Sequence, residues 1–265
     1  MTALSVGRSE PAAFDIPLPV PKVRPPKEFL ESRGIPEEWA DDCEVLGWFH
    51  DPSGRLVPRA HAQVNLLVGW PNAPRTPLEL LRAVRMGLGL SLNLQDHFDM
   101  EVLTPVLRET RWLGISAAPG VRGWRVLSQS TVARLISGEP TEMLPTMPYL
   151  QHLVGLGANT VGGLSSPRLI EASVDLLGQR WPSQVKVSGP VEKLQLMNVR
   201  SFPGLEVVRH PDRLRELRIH RLDSIDLSPL REAKSLEWLD LSKVRRVHGL
   251  DVVSDLPKLE RFDRD

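Results

Sequence analysis

The 265-residue chain lacks the residues on which several common protein classes depend. It has one cysteine, Cys43, which excludes an internal disulfide framework and any zinc site built from several cysteines. Its 33 lysines and arginines equal its 33 aspartates and glutamates, so no net charge attracts it to phosphate or to an anionic membrane. No apolar run approaches the roughly 18 residues that a membrane-spanning helix needs. These absences make a globular protein without a membrane span the starting expectation.

The composition itself is that of a soluble globular protein. Apolar residues make up 41% of the chain and charged residues 25%, and the length is sufficient to bury a full hydrophobic core. The first twenty residues contain no uninterrupted apolar segment of the kind that a secretory signal has. Together with the single thiol, this pattern favours a cytoplasmic location and leaves the oligomeric state open.

Three regions of the chain differ in pattern. Residues 1–27 contain six prolines, which prevent regular helix or central strand and predict an extended Pro-rich arm. Residues 28–105 have a mixed pattern, without a visible repeat, that predicts a small α+β N-terminal cap. The clearest element of this cap is a helix over residues 77–86, because Thr76 precedes it as an N-cap and Gly87 follows it.

The last two thirds of the chain repeat a short apolar pattern. Leu214-x-x-Leu217-x-Ile219 recurs 22 residues later as Leu236-x-x-Leu239-x-Leu241. Further copies begin at Leu169, Val191 and Leu259 and, with irregular spacing, at Thr110, Val132 and Leu150. A fixed period of this length is typical of a solenoid built from stacked structural units. The sequence therefore predicts a repeat region over residues 106–265, clear from residue 169.

The segment from Leu214 to Leu241 resembles the short, internalin-like class of leucine-rich repeats. Asp226-Leu227-Ser228-Pro229-Leu230 matches the return segment of that class, with Pro229 at the first position of a short helix and Ser228 as its cap. The resemblance implies an α/β solenoid: a right-handed leucine-rich-repeat solenoid with a parallel sheet on its concave face, preceded by the α+β cap.

One position departs from this class. Three residues after the third apolar position, the class has a buried asparagine whose side chain satisfies the backbone of the turn. This chain instead has Leu177, Val199, Leu222 and Val244 at that position. Because an asparagine ladder cannot form, we expect irregular turns there.

In the implied geometry, residues that alternate with the buried leucines face outward from the sheet. The third position of successive repeats is Glu171, Lys193, Glu216, Trp238 and Arg261. The charges in this column alternate in sign, which is expected for solvated cross-strand pairs and does not by itself indicate a binding site. Trp238 interrupts the alternation, either as an interface anchor or as a ring lying over the aliphatic stems of Arg215 and Arg261. The candidate partner-binding residues are Lys193, Gln195, Arg215, Glu216, Arg218, His220, Trp238, Asp240 and Arg261.

We therefore expect a non-catalytic protein that recognises a protein partner through the concave sheet face. The resemblance implies a protein partner, since leucine-rich repeats serve mainly as protein-binding frameworks, and by analogy an immunity or regulatory role. The sequence shows no nucleophile, phosphate-binding or zinc-binding motif, so no catalytic residue, cofactor or metal is predicted.

Two other functions stay open on the sequence. The first is an enzyme whose site lies in the N-terminal third, with the repeats as a substrate-selecting arm; its residues would be His50, His61, Asp96, His97 and Asp99. The second is a nucleic-acid reader that uses Arg215, Arg218, Arg221, Lys243, Arg245 and Arg246. Interspersed acidic residues disfavour it, because Glu192, Glu216, Glu237 and Asp240 would repel phosphate.

Overall fold

Two β-sheets organise the computed structural model, which describes residues 25–50, 52, 53, 55–69, 76–200 and 202–265. The large sheet has eleven strands whose order in the sheet is their order in the chain. These strands are β1 Cys43–His50, β2 Leu56–Gly69, β3 Gly89–Leu94, β4 Trp112–Ala117, β5 Arg134–Ser137, β6 His152–Leu156, β7 Glu171–Asp175, β8 Lys193–Met197, β9 Glu216–His220, β11 Trp238–Asp240 and β13 Arg261–Asp263. The second sheet pairs β10 Leu222–Asp226 with β12 Val244–His248.

The helical segments of the described chain are short. The α-helices are α1 Lys27–Ser32, α2 Pro77–Arg85 and α3 Thr104–Leu107. The 3₁₀ segments are Glu37–Asp42, Met100–Leu103, Trp124–Gln129, Ala158–Ser165, Leu205–Val207, Pro211–Arg213, Ser228–Glu232 and Leu250–Asp255. Only β1 runs antiparallel to its neighbour in the large sheet, so a mostly parallel sheet with helices, an α/β architecture, is the fold class. Among the described residues, no helix has the length and apolar character needed to cross a membrane.

Helix α2 begins where the sequence predicts. The Thr76 hydroxyl accepts a hydrogen bond from the Glu79 backbone N–H at 3.3 Å, and the Glu79 carboxylate accepts one from the Thr76 N–H at 2.7 Å. This capping box satisfies two amide donors that the first turn of a helix leaves unpaired. The predicted helix over residues 77–86 is confirmed.

The apolar pattern sets the register of the parallel strands. Leu217 of β9 lies between Leu194 of β8 and Leu239 of β11, and all three side chains are at most 1% exposed. Because successive strand residues point to opposite faces, burying these leucines fixes which residues face outward. The predicted inward positions are confirmed.

The repeat spacing continues upstream of residue 106. Leu90 of β3 pairs with Leu113 of β4, 23 residues later, and the sheet passes from β3 to β4 without a break. The division into a cap and a repeat region stays a prediction. Residues 1–24 of the predicted arm lie outside the described residues.

Two of the turn positions that lack asparagine begin the strands of the second sheet. Leu222 and Val244, both 4% exposed, are the first residues of β10 and β12, and they pair with each other in the second sheet. Parallel-strand pairing thus takes the place of an asparagine ladder at these two positions, while the residues just before them, Arg221 and Lys243, have left-handed φ angles of 63° and 58°. Leu177, the equivalent residue two copies of the pattern before Leu222, is 49% exposed.

The return segment differs from the expectation at its start. The 3₁₀ segment begins at Ser228, so Pro229 is its second residue rather than its first, and Ser228 does not cap it. Instead, the Asp226 carboxylate accepts hydrogen bonds from the Ser228 backbone N–H at 2.9 Å and from its hydroxyl at 2.7 Å. These bonds stabilise the ionised carboxylate and lower the pKa of Asp226.

Candidate functional site: the open face of the sheet

We define the open face as the side of the large sheet formed by strand residues that alternate with the buried core residues. Each strand contributes two or three such residues, and neighbouring strands align them in columns. The first column, in chain order, is Trp112, Arg134, His152, Glu171, Lys193, Glu216, Trp238 and Arg261. The open face therefore carries eight of the nine predicted partner-binding residues. The ninth, Arg215, lies one residue before β9.

The centre of the first column is an ion-paired row. The Glu171 carboxylate lies 3.2 Å from His152 Nδ1 and 3.3 Å from Lys193 Nζ. Burial acts to raise the pKa of Glu171, but the charge and hydrogen bond of Lys193, aided by His152, outweigh it and hold that pKa below its usual value. The alternation of charge in the sequence is thus realised as cross-strand pairs.

Trp238 is held between two arginines near the C-terminal end of the sheet. The guanidinium carbon of Arg218 lies 3.6 Å from the indole ring centroid, and that of Arg261 lies 4.1 Å from it. The indole Nε1–H donates a hydrogen bond to Asp263 Oδ2 at 3.0 Å. Cation–π contacts from the strands on either side of β11 and a hydrogen bond at the ring edge restrict the side chain to one orientation.

Two acids balance the arginines that enclose this ring. Arg218 forms an ion pair with Glu216, and Arg261 Nε lies 2.6 Å from Asp263 Oδ2. The side chains of Arg218 and Glu216 are only 12% and 14% exposed. We call these five residues, Glu216, Arg218, Trp238, Arg261 and Asp263, the Trp238 cluster. Its formal charges cancel, so it presents a rigid aromatic and polar surface rather than a field of one sign.

Arg215 is not part of the Trp238 cluster. Its guanidinium forms a two-point hydrogen bond with the Glu237 carboxylate, with distances of 3.0 Å from Nε and 2.9 Å from Nη2. The alternative that placed Trp238 over the stems of Arg215 and Arg261 therefore named one wrong neighbour, since Arg218 takes that place. Arg215 precedes the strand and reaches sideways to Glu237, which has the equivalent position in the next repeat.

The remaining predicted residues line the middle and last columns. Gln195 pairs in register with Arg218, and Arg218 with Asp240. The Gln195 side chain accepts a hydrogen bond from Ser173 Oγ at 3.3 Å. His220 is half-buried and lies opposite Met197. These residues extend the open face from the Trp238 cluster toward the centre of the sheet.

Sequence reasoning missed the N-terminal part of the open face. Trp112, Arg134 and His152 occupy the same column as Trp238, and the Arg134 guanidinium lies 4.5 Å from the Trp112 ring centroid. A signal was present, because each of the three is the third residue of an irregular repeat copy, those that begin at Thr110, Val132 and Leu150. Reading that position through all copies would have placed them on the open face.

The residues of the predicted enzyme site are not brought together by the backbone. His50 pairs with Leu56, nine residues before Asn65, where the pairing of β2 with β3 begins. Asp96 follows the end of β3. Since β2 and β3 are parallel, His50 lies toward the N-terminal ends of these strands, whereas Asp96 lies beyond their C-terminal ends.

The Asp96–Asp99 run has a local structural role. The Asp99 carboxylate accepts a hydrogen bond from the Glu101 backbone N–H at 3.0 Å and so caps the segment Met100–Leu103. The His97 side chain is 90% exposed, and its Nε2 lies 3.5 Å from Asp96 Oδ2. In the described part of the chain, no group of three or more His, Cys, Asp and Glu side chains could hold a metal ion.

The six basic residues of the nucleic-acid hypothesis do not form one surface. Arg218 pairs with Glu216 on the open face and Arg215 with Glu237 just before the strands, whereas Arg245 and Arg246 belong to β12 of the second sheet. Arg221 and Lys243 lie in the turns that follow β9 and β11. The structure thus separates paired arginines on the sheet from basic residues at its edge.

Comparisons with known proteins add no relative to this geometry. A scan against protein-family models, a search of curated proteins and a search of solved structures each found no match.

Proposed function

We propose that this protein is a non-catalytic, leucine-rich-repeat-like right-handed solenoid that binds a protein partner through the open face, which would be its concave surface. The architecture of the proposal is supported by the large sheet, in which the order of the eleven strands is their order in the chain. Aligned leucines at a spacing of 22 or 23 residues, as in Leu194, Leu217 and Leu239, also support it. A cytoplasmic location belongs to the same proposal.

The observation that carries the binding function is the Trp238 cluster. Tryptophan and arginine are the residues most enriched among those that dominate interface energies. Here one tryptophan is fixed by two arginines and by its hydrogen bond to Asp263. Because its orientation is set before a partner arrives, little side-chain entropy remains to be lost on binding. This surface fits a partner whose apolar group packs against the edge of the Trp238 ring and whose polar groups bind the charged side chains beside it.

The rest of the open face suits the rim of an interface. The His152–Glu171–Lys193 row is half-buried and charge-balanced, and Gln195 and Met197 follow Lys193 on the same strand, β8. Polar groups of this kind add specificity and exclude water around an anchor, while contributing little affinity one by one. The proposed site therefore centres on β9, β11 and β13 and extends toward β7.

Side-chain footprinting of the full chain tests this proposal. The chain serves as bait for partner capture from native lysate, and the purified complex is then oxidised with hydroxyl radicals. We expect Trp238 and Met197 to be oxidised more slowly in the complex than in the free protein. Tyr149, which is 45% exposed and lies outside the open face, should react equally in both states. Unchanged oxidation of Trp238 in a stable complex would place the interface elsewhere and contradict the proposal.

A further inference from the structure

A second surface is formed by the turns that follow the C-terminal ends of several strands of the large sheet. Four consecutive strands of the sheet, β8, β9, β11 and β13, are each followed within three residues by a basic side chain. These residues are Arg200, Arg221, Lys243 and Arg264, and Arg245 of β12 lies beside them. We call these five residues the basic edge.

Two open grooves run along the basic edge. One, of about 710 Å³, is lined by Arg221, Lys243, Arg245 and Arg264 together with Asp265. The other, of about 490 Å³, shares Arg221, Lys243 and Arg245 with the first and continues to Arg200. Because the grooves share three basic residues, they form one continuous surface.

The positive charge of the basic edge is mostly uncompensated. Within the described ranges, Arg200, Arg221, Lys243 and Arg264 form no ion pair, while Arg245 lies 3.2 Å from Asp223. The two acids that line the grooves are Asp223 and Asp265, against five basic residues. On the open face, by contrast, the charges of the Trp238 cluster cancel. The basic edge therefore has an excess of positive charge in a chain whose formal net charge is zero.

Two of these side chains belong to turn residues with a left-handed backbone. Arg221 and Lys243 have φ angles of 63° and 58°, in the left-handed region where glycine and asparagine are favoured. The equivalent turn after β8 has asparagine, Asn198, with φ 52°. Asparagine would therefore serve the fold at both turns with less strain, so the positive charge at these positions can be removed without disturbing the backbone.

We propose that the basic edge binds an acidic, extended peptide segment of a partner protein. Neighbouring strands lie about 4.8 Å apart, so the four turns span about 14 Å, which four or five extended residues would cover. The lining is not purely basic, since Leu177 is 49% exposed beside Asn198 and offers an apolar contact. No aromatic side chain lines either groove in the described residues, so a single-stranded nucleic acid would find no stacking platform.

A charge-removal experiment on the full chain tests this inference. The probe is a fluorescein-labelled peptide with five consecutive glutamates, and binding is read by fluorescence anisotropy at several salt concentrations. Arg221→Asn combined with Lys243→Asn removes two positive charges while supplying a residue that tolerates the left-handed turn. We expect this double variant to bind the peptide at least about tenfold more weakly and with a smaller salt dependence.

A matched control separates local binding from net charge. Lys234→Asn with Lys258→Asn makes the same change at two exposed lysines outside the groove lining, and should bind the peptide as the wild type does. Equal losses in both double variants, or no binding by the wild type, would overturn the proposal. Trp238→Ala should retain peptide binding, and loss of peptide binding in that variant would show that the two surfaces are not separate sites.

A second probe distinguishes the class of ligand. An oligouridylate with the same number of negative charges replaces the peptide in the same assay. We expect it to bind more weakly than the peptide, because only its phosphates can be used. Equal or tighter binding of the oligonucleotide, abolished by the Arg221→Asn and Lys243→Asn variant, would replace the acidic peptide by nucleic acid.

Discussion

Replacing Leu217 with alanine gives the sharpest test of the register of the sheet. The side chain is 0% exposed and lies between Leu194 and Leu239 in adjacent strands, so neither neighbour can move far to fill the space. Losing three buried carbon groups removes about 2.4 kcal/mol of transfer free energy at about 0.8 kcal/mol each. A residual cavity adds to this, so we expect Leu217→Ala to lower the free energy of unfolding by about 3–5 kcal/mol.

Urea unfolding followed by circular dichroism measures this change. Leu78→Ala is the matched control, because it deletes the same atoms from a side chain that is 75% exposed at the start of α2. That variant should stay within about 0.5 kcal/mol of the wild type. Equal destabilisation by the two substitutions would refute the assignment of Leu217 to the core and, with it, the register of the sheet.

Three further predictions concern separate parts of the molecule. Glu171→Gln should lower the free energy of unfolding by up to about 1 kcal/mol at neutral pH. The pKa of Glu171 is lower in the folded than in the unfolded protein, so its carboxylate stabilises the fold above the unfolded pKa. This stabilisation is lost as the pH falls through the folded pKa. A pH series of thermal melts should therefore show the difference in stability between wild type and Glu171→Gln vanishing in acid. A chain that starts at Pro25 should melt at the same temperature as the full chain, and a large fall would show that the arm packs on the domain. Leu222→Asn should destabilise by about 1–3 kcal/mol in urea titrations, because a polar group enters a buried site whose backbone is already hydrogen-bonded; equal or greater stability would mean that a ladder asparagine is still usable there.

The sequence predicted the strands better than the contacts between their side chains. Burial of Leu217 and Leu239 follows directly from apolar spacing, and the spacing also fixed the column of Glu171, Lys193 and Glu216. The apolar pattern is harder to recognise upstream of residue 169 because the spacing between equivalent residues becomes irregular there, falling to 18 residues between Leu135 and Leu153. A pattern search with a constant period loses such copies even when the strands remain in register.

Other features required three-dimensional information. Arg215 and Arg218 lie just before and within β9, the strand that neighbours Trp238. Which of them contacts the indole ring depends on the direction of the side chains, which the sequence does not give. The pairing of β10 with β12 could not be predicted from the sequence. The absence of asparagine shows that its side-chain hydrogen bonds to the turn are lost, but it does not show which backbone hydrogen bonds replace them. The basic edge was likewise invisible, because the sequence lists Arg218 and Arg221 as near neighbours although one is ion-paired on the sheet and the other is in a turn.

The affinity of Trp238→Ala for a captured protein partner tests the central claim most directly. Isothermal titration calorimetry of the full chain should show binding weakened by at least about 2 kcal/mol, which is roughly thirtyfold. Trp112→Ala, which removes the other tryptophan of the same column, should bind normally, and the melting temperature of each variant monitors its fold. Normal binding by a folded Trp238→Ala protein would contradict the account, since the Trp238 cluster would then not be the anchor of the interface.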